Sequence, residues 1–288
     1  MHNYILALIL GIVEGLTEFL PVSSTAHLRI CQSLLGIALD DGYWKMFAIV
    51  IQLGAILTLP IYFRDRIAKF VATFPNGERG NRTVITHPLT LVAIAFVCTA
   101  APAFLLTKII GKHLESLVIM GASLLIGGVI MWVIDAFYAR GALAHDTDHV
   151  EEMSLGQAVW IGLCQTLSAV FPGTSRSMST IAAGQLAGMS RSSALEFSFF
   201  LSIPTMVVAT CYDLFKSLRP HHGAPAAIGH MAMNAQDWIT LAIGFVVSFV
   251  VAYGVVAWFM NWVRTRGFVP FAAYRIVVGI AVLWWALK

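Results

Sequence analysis

The feature that most constrains this sequence is its set of long apolar runs. Continuous examples cover residues 89–107, 117–134, 239–260 and 268–287. Each has the roughly 17–25 residues that a helix needs to cross a bilayer. Only 11% of the 288 residues are charged, whereas an ordinary soluble domain carries roughly 25%. The sequence therefore predicts an all-α integral membrane protein.

Composition argues against several other classes of protein. Residues 1–20 lack a basic leading stretch and contain Glu14 and Glu18, which is unlike a cleaved signal peptide. The net charge of +3 is small and dispersed, so no nucleic-acid partner is expected. The cysteines lie in apolar stretches without metal-ligand spacing, which favours buried free thiols over a disulfide framework.

Two pairs of short apolar segments are interrupted by proline. The predicted segments are 3–20, 24–36, 44–63, 86–107, 115–138, 155–171, 175–188, 192–215, 237–260 and 267–287. Pro21 splits the pair 3–36, and Pro172 splits the pair 155–188. Proline cannot continue a helix interior, and the Ser and Thr residues that follow each proline suit the start of a new helix. Each pair is therefore predicted to be a re-entrant helical hairpin.

The two interrupted pairs also indicate an internal repeat. A shift of 151 residues places Gly11 on Gly162, Leu16 on Leu167, Pro21 on Pro172 and Ser24 on Ser175, with Glu14 over Gln165. The prediction is a first repeat, 1–139, with hairpin 3–36 and spans 44–63, 86–107 and 115–138. The second repeat, 150–288, has hairpin 155–188 and spans 192–215, 237–260 and 267–287, after a charged linker at 140–152.

The number of spans fixes the relative orientation of the repeats. A hairpin enters and leaves on one side and three spans are an odd number, so the second repeat must be inverted. Paired interrupted helices in inverted halves point to a binding site near the bilayer midplane. The alternative is that the short segments are ordinary spans and that the likeness is chance. With the N-terminus outside, the densest basic loop, 64–82, lies inside, as the positive-inside rule favours.

The interruption at Pro21 and the residues on either side of it, here called the first break, carry carboxylates, hydroxyls and an imidazole. Glu14 and Glu18 are four residues apart and share one helical face. Buried carboxylates are costly, and their mutual repulsion is relieved by a hard divalent cation such as Mg2+ or Ca2+. Ser24 and His27, three residues apart after Ser23, suit covalent catalysis. The alternative for Glu14 and Glu18 is a pair of acids on the helix surface at the water–lipid boundary. The alternative for the other residues is that Ser23 or Ser24 only caps the helix and that His27 lies at the membrane interface.

The interruption at Pro172 and the residues that follow it, here called the second break, resemble an anion-binding site. The residues concerned are Thr174, Ser175, Arg176, Ser177 and Thr180, which follow Pro172 and Gly173. A helix start with free N–H groups and hydroxyls binds anions, and the planar fork of arginine matches phosphate oxygens. The alternative for Arg176 is a side chain that reaches the headgroups. Inverted halves would bring both breaks to one cavity, where the parts needed for phosphoryl transfer would meet.

Both breaks resemble the signature motifs of the undecaprenyl-diphosphate phosphatase family, which is linked to bacitracin resistance. The motifs read EGLTEFLPVSSTAH at 14–27 and PGTSRSMST at 172–180. The likeness covers essentially the whole chain in length, motif order and repeat plan. It implies hydrolysis of undecaprenyl diphosphate to the monophosphate lipid carrier used in cell-wall synthesis, with a required divalent cation. It also implies a multi-pass protein of the bacterial inner membrane whose active site opens to the periplasmic side.

The resemblance also implies roles for individual residues. The expected catalytic residues are Glu14, Glu18, Ser24, His27 and Arg176, with Glu14 and Glu18 as the metal ligands. The expected phosphate-binding residues are Ser23, Thr174, Ser175, Arg176, Ser177 and Thr180. The nucleophile is left open between Ser24, His27 and water. Ala26 departs from the family pattern, which has glycine before the histidine. The methyl group of alanine leaves slightly less space for another group to approach the backbone here, and it puts little of the resemblance in doubt.

A transporter or lipid flippase is the strongest rival interpretation, because inverted repeats with broken helices are a transporter architecture. The adjacent hydroxyl, imidazole and carboxylates favour the enzyme, since a carrier needs no nucleophile. The expected partners are the polyprenyl diphosphate, membrane lipids and a second copy of the chain in a homodimer. Four further polar residues lie at or inside apolar segments: Asp135, Glu196, Asp213 and Arg275. For most of them we expect structural pairing or placement at the interface, with Glu196 bordering the cavity. The three histidines His221, His222 and His230 are expected to lie in a solvated loop.

Overall fold

The computed structural model describes residues 2–39, 41–78, 80–106, 116–139, 146–218 and 233–288. Within these ranges the chain folds into α-helices joined by turns and short irregular segments. The helices are α1 (His2–Thr17), α2 (Ser24–Leu34), α3 (Gly42–Tyr62), α4 (Arg64–Ala72), α5 (Pro88–Leu105), α6 (Leu117–Ala139), α7 (Leu155–Val170), α8 (Arg176–Leu186), α9 (Arg191–Leu218), α10 (Ala235–Thr265) and α11 (Val269–Ala286). His221, His222 and His230 lie outside the described residues.

Six of the described helices are long and apolar enough to cross a membrane. They are α3, α5, α6, α9, α10 and α11, and they confirm the six full spans predicted from the sequence. The protein is therefore an all-helical, multi-pass membrane protein. The apolar helices α1 and α7 are shorter, as expected for the interrupted segments. Helix α4 was not predicted, because its nine residues include Arg64, Arg66 and Lys69 and form part of a basic loop.

Residues 1–19, 24–62 and 203–257 form one compact unit, here called the first unit. Its core packs α1, α2 and α3 around buried residues that include Leu10, Leu28 and Phe47. Gly11 and Gly15 bring α1 against α10. A Cβ on Gly11 would lie 2.9 Å from the Gly244 carbonyl oxygen, so a larger residue would force the two helices apart.

Residues 20–23, 63–202 and 258–288 form the second unit. Here α6 packs against α11 and α5 packs against α7. Glycine again permits the close approach, since a Cβ on Gly162 of α7 would overlap the backbone of Ala95 in α5. The hydroxyl of Thr99 donates to the Gly162 carbonyl oxygen at 2.8 Å and fixes this contact.

The two ends of the α7–α8 pair are tied together. The Asp146 N–H donates to the Gly188 carbonyl oxygen at 3.0 Å, and the Ser190 N–H donates to the Thr147 carbonyl oxygen at 3.0 Å. The Gln157 amide, at the start of α7, donates to the Ala187 carbonyl oxygen at 2.8 Å. The chain that leaves α8 has thus returned to the level at which it entered α7, as a helical hairpin requires.

An ion pair between a buried aspartate and a half-buried arginine joins the C-terminal part of α6 to the start of α9. The Arg191 Nε donates to Asp135 Oδ1 at 2.7 Å, and the Phe268 N–H donates to Asp135 Oδ2 at 2.9 Å. The Arg191 guanidinium also lies over the Tyr138 ring, 4.5 Å from its centroid. The structural pairing expected for Asp135 is confirmed.

Replacing Asp135 by alanine is expected to destabilise the fold by about 3 kcal/mol, at the lower end of the range for a broken buried pair, because the half-buried Arg191 and the buried Phe268 N–H lose their acceptor. Thermal unfolding in detergent measures the effect. Asp65→Ala is the matched control, since the Asp65 side chain is 91% exposed and surface changes usually stay within about 0.5 kcal/mol. Equal midpoints for the two variants would contradict the prediction.

Candidate active site

The carboxylates of the first break are both buried. Glu14 is 1% exposed and Glu18 is 6% exposed. Helix α1 ends at Thr17, but the Glu18 N–H donates to the Glu14 carbonyl oxygen at 2.9 Å, so the helical turn continues through Glu18. The two side chains therefore lie one turn apart on the same side of the chain.

One candidate nucleophile, Ser24, lies against one of these carboxylates. Ser24 is the first residue of α2, and its Oγ donates to Glu18 Oε2 at 2.5 Å. The hydroxyl is therefore engaged by a carboxylate rather than used as a helix cap. His27, one turn further along α2, is half-buried. The structure thus brings Ser24 and Glu18 together within the first unit.

Each break contains a serine in the left-handed region of backbone space. Ser23 has φ 73° and Ser175 has φ 72°, a conformation that costs non-glycine residues about 1–3 kcal/mol. Both serines directly precede a helix, α2 or α8. The Ser175 Oγ accepts from the Met178 N–H at 3.3 Å and so caps α8. Strain kept at both helix starts indicates that the direction of each new helix is tightly fixed.

The two strained serines do not coincide under the shift of 151 residues. That shift places Ser24 on Ser175, whereas the positive φ angles occur at Ser23 and Ser175. One residue separates Pro21 from Ser23, and two residues separate Pro172 from Ser175. Ser24 and Arg176 are each the first residue of a helix, and the repeat stays a prediction.

Gly173 could not be another residue without moving its surroundings. Its φ is +92°, and a Cβ built on it would lie 2.5 Å from the Met120 carbonyl oxygen. A side chain would therefore be both strained and in collision with backbone. Glycine at this position lets the second break lie directly against α6.

The hydroxyls of the second break fall into two groups. The Ser177 Oγ donates to the Leu20 carbonyl oxygen at 3.0 Å and lies 3.2 Å from the Ser175 Oγ, so these two face the first break. The Thr180 Oγ1 lies 2.6 Å from the Ser198 Oγ, on α9. Thr180 therefore joins α8 to α9, while its predicted part in phosphate binding stays a prediction. Arg176 is half-buried at the start of α8.

Sequence reasoning missed Arg275, which lies between the two breaks. Its side chain is fully buried. The Nη1 group donates to the Pro21 carbonyl oxygen at 3.0 Å, and the Nη2 group donates to the Gly173 and Thr174 carbonyl oxygens at 3.1 and 2.9 Å. The available signal was a single arginine inside the apolar segment 267–287.

Glu196, which the sequence predicts to border the cavity, forms an ion pair with a residue of α4. It accepts from Arg66 Nε at 2.9 Å, and Arg66 also forms a bidentate pair with Glu151. Burial alone would raise the pKa of the Glu151 carboxyl, but its hydrogen bonds and attraction to Arg66 outweigh burial and hold that pKa below its ordinary value. The network joins α4 to the segment before α7 and to the beginning of α9.

The lowered pKa of Glu151 predicts a loss of stability in acid. The contribution of the ion pair is complete above the unfolded pKa of about 4.3 and is lost as pH falls through the lower folded pKa. Solvent screening limits it to about 1 kcal/mol. Unfolding midpoints of wild type and Glu151→Gln should therefore differ at pH 7 and converge as the pH falls below the folded-state pKa of Glu151. A difference that stays constant over this range would contradict the prediction.

An apolar cavity of about 320 Å³ adjoins the second break. Its walls come from α6, α7 and α8, and include Ile126, Ile130, Leu167 and Leu186. Thr174, at the break itself, also lines it. The cavity therefore places apolar surface next to the hydroxyl-rich start of α8.

Together these features define a class: a multi-pass membrane protein with a serine–carboxylate pair at one helix break and an arginine at the start of the helix after another. The family described as bacitracin resistance protein BacA matches residues 7–281, and the chain belongs to this family. It is 73% identical to the undecaprenyl-diphosphatase of Koribacter versatilis over 289 residues, covering 100% of both chains. It is 40% identical to the undecaprenyl-diphosphatase of Caldanaerobacter subterraneus, covering 98% of this chain and 96% of the relative.

Proposed function

We propose that this protein is a membrane phosphatase that removes the terminal phosphate of undecaprenyl diphosphate. The product is the monophosphate lipid carrier that cell-wall synthesis reuses. The observation that carries the proposal is the Ser24 hydroxyl donating to the buried Glu18 carboxylate at a helix break. Relatives named undecaprenyl-diphosphatase, 73% identical in one case over the full chain, support the same activity.

In the proposed first step, the Ser24 oxygen attacks the terminal phosphorus. Glu18 accepts the hydroxyl proton, because it is the carboxylate in hydrogen-bond contact with that hydroxyl. The bond between the terminal phosphorus and the bridging oxygen breaks, and undecaprenyl phosphate leaves. Water then attacks the phosphoserine, inorganic phosphate departs, and Glu18 returns a proton to Ser24. His27, or water acting directly, stays the alternative nucleophile.

The proposed phosphate site is the start of α8, where Arg176 and the neighbouring Ser175 and Ser177 would bind the diphosphate oxygens. The Ser177 hydroxyl donates to the Leu20 carbonyl oxygen, and Arg275 donates to Pro21 as well as to Gly173 and Thr174. These contacts connect the second break with the segment between Glu18 and Ser24 and support a shared substrate.

A divalent cation fits the residues of the first break. Among the described residues no cluster of three or more His, Cys, Asp or Glu side chains is placed to hold a metal. Mg2+, however, is commonly bound by one or two carboxylates together with water and substrate phosphate. Glu14 and Glu18 would hold the cation in this way. When bound, the cation would neutralise the charge of the diphosphate oxygens.

The apolar cavity beside Thr174 suits the isoprenoid chain of the substrate. Its apolar walls between α6, α7 and α8 would remove the chain from contact with polar groups while the diphosphate lies at the break. We propose that α1–α2 and α7–α8 are re-entrant hairpins of two inverted repeats, 1–139 and 150–288. The equivalent close contacts of Gly11 and Gly162 support the repeat.

We further propose that the site opens to the periplasmic side and that two copies associate as a homodimer. Labelling of an introduced cysteine near Ser24 by a membrane-impermeant thiol reagent, with the native cysteines replaced, tests the orientation. Light scattering of the detergent-solubilised protein tests the dimer. Both are expectations carried by the resemblance of the motifs.

A transporter or flippase is the second candidate, favoured by the paired broken helices. The Ser24–Glu18 hydrogen bond argues for chemistry rather than transport alone, because a carrier gains nothing from placing a hydroxyl against a buried base. Movement of fluorescent polyprenyl phosphate across vesicles that contain the protein would distinguish the two activities.

Phosphate release from undecaprenyl diphosphate in detergent tests the proposed function. We expect release that requires Mg2+ or Ca2+ and stops when EDTA is added. The same assay on Glu18→Gln and Arg176→Ala tests whether both breaks serve one reaction. Absence of release from folded wild-type protein, with cation present, would reject the phosphatase.

A further inference from the structure

We propose that Arg275 is a positioning residue for this reaction, whose guanidinium holds the two helix breaks in one fixed arrangement. The proposal rests on the proposed function, since the residues it positions are those of the phosphatase site. It assigns to Arg275 a role in the rate of the chemical step, with no contact to the substrate.

Four backbone carbonyl oxygens, from three separate segments of the chain, accept hydrogen bonds from the Arg275 guanidinium. Nη1 donates to Pro21 at 3.0 Å, and Nη2 donates to Gly173, Thr174 and Ser123 at 3.1, 2.9 and 3.2 Å. One rigid, planar group therefore binds the first break, the second break and α6 simultaneously. Lysine, with three donors on a single atom, could not span the same acceptors.

The charge of Arg275 is not balanced by an acidic side chain in the described part of the structure. Its partners there are backbone carbonyl oxygens alone, and the side chain is 0% exposed. Burial of an unbalanced cation is expensive, and ionisable residues inside membrane segments mark functional positions. A purely structural contact between these segments could be made by apolar packing at lower cost.

The carbonyl groups bound by Arg275 belong to residues that are close in sequence to the proposed reacting groups. Pro21 is three residues before Ser24, and Thr174 is two residues before Arg176. The intervening serines, Ser23 and Ser175, are both fixed at positive φ. A displacement of either held carbonyl would therefore be passed by the backbone to the nucleophile or to the phosphate-binding arginine.

Gly127 of α6 provides the space that the guanidinium occupies. A Cβ on Gly127 would collide with Arg275 Nη2 and would lie 2.7 Å from Met178 Cε. Gly127→Ala should therefore displace the guanidinium from its carbonyls while leaving Arg275 and its charge in place. Gly121→Ala is the matched control, because it strains the same α6–α11 contact against Leu283, with Cγ at 2.9 Å, away from Arg275.

The experiment compares wild type, Arg275→Lys, Gly127→Ala and Gly121→Ala in two measurements. The first is kcat and KM for phosphate release from undecaprenyl diphosphate. The second is hydrogen–deuterium exchange of the amides in segments 20–24 and 173–177, which needs no catalysis. We expect kcat to fall about 100-fold in Arg275→Lys and Gly127→Ala, as misplacement by about 1 Å can do. Exchange should rise in both segments together, with KM changed less than kcat.

Several outcomes would overturn the proposal. Full activity in Arg275→Lys would show that charge alone is sufficient, and equal losses in Gly127→Ala and Gly121→Ala would show a general packing effect. Exchange that rises at neither break, or at only one, would show that the breaks are not held jointly. If Arg275→Lys does not fold, Gly127→Ala decides the question. If wild type releases no phosphate, the proposed function fails. The exchange data then still test whether Arg275 holds the two breaks together.

Discussion

Glu18→Gln is expected to lower kcat for phosphate release by about 1,000-fold, within the range for loss of a general base. Glutamine has the size of glutamate and can still accept a hydrogen bond from the Ser24 hydroxyl, but it cannot take up the proton. Because the buried hydroxyl has this carboxylate as its partner at 2.5 Å, the loss should appear in kcat. Steady-state release at saturating substrate, with cation present, measures it.

Two variants sharpen this result. Glu78→Gln is the control, since Glu78 pairs with Lys69 on the surface and should keep wild-type activity. Ser24→Ala separates the two chemical routes. Loss of activity together with phosphate trapped on Ser24 in wild type supports the covalent route. Activity retained in Ser24→Ala would exclude Ser24 and assign the attack to water or His27, whereas full activity in Glu18→Gln would exclude Glu18 as the base.

Arg176→Ala is expected to lower kcat/KM by about 1,000-fold, at the lower end of the effects of arginines that stabilise phosphoryl transfer. The arginine begins α8 directly after the strained Ser175, and its planar fork would bind two phosphate oxygens together. Arg176→Lys keeps the charge and loses the fork, so an intermediate loss is expected. The measurement is phosphate release over a range of substrate concentrations.

The control for this series is Arg264→Ala, in the last turn of α10, where the side chain is exposed. It should leave kcat/KM unchanged. An Arg176→Lys variant as active as wild type would show that a point charge is sufficient and that the bidentate geometry is unnecessary. Unchanged kcat/KM in Arg176→Ala would remove the second break from the site.

The spans and the candidate site residues could be predicted because both leave strong sequence signals. A bilayer demands long apolar helices, so helices such as Pro88–Leu105 and Val269–Ala286 differ by at most two residues at either end from the predicted segments. Charged groups are rare at membrane depth, so Glu14, Glu18 and Arg176 were conspicuous. The contact between Ser24 and Glu18 could not be predicted, because an irregular turn separates these residues.

The missed features leave weak signals for physical reasons. Arg275 binds backbone carbonyls, which every residue carries, so no partner residue type marks its role. The positive φ angles of Ser23 and Ser175 leave no sequence signal, because serine rarely adopts this conformation. Helix α4 is nine residues long and rich in charge, and it is difficult to distinguish from a basic loop by periodicity.

The close packing of α1 on α10 has a consequence for biosynthesis. Gly11 and Gly15 near the beginning of the chain fit against Gly244, Val247 and Val251, and α10 is among the last helices to leave the ribosome. The first helix cannot bury its glycine face on this partner until nearly the whole protein has been inserted. A ribosome that stalls before α10 would therefore leave α1 without its packing surface, and the quality-control proteases of the membrane would meet an incomplete unit.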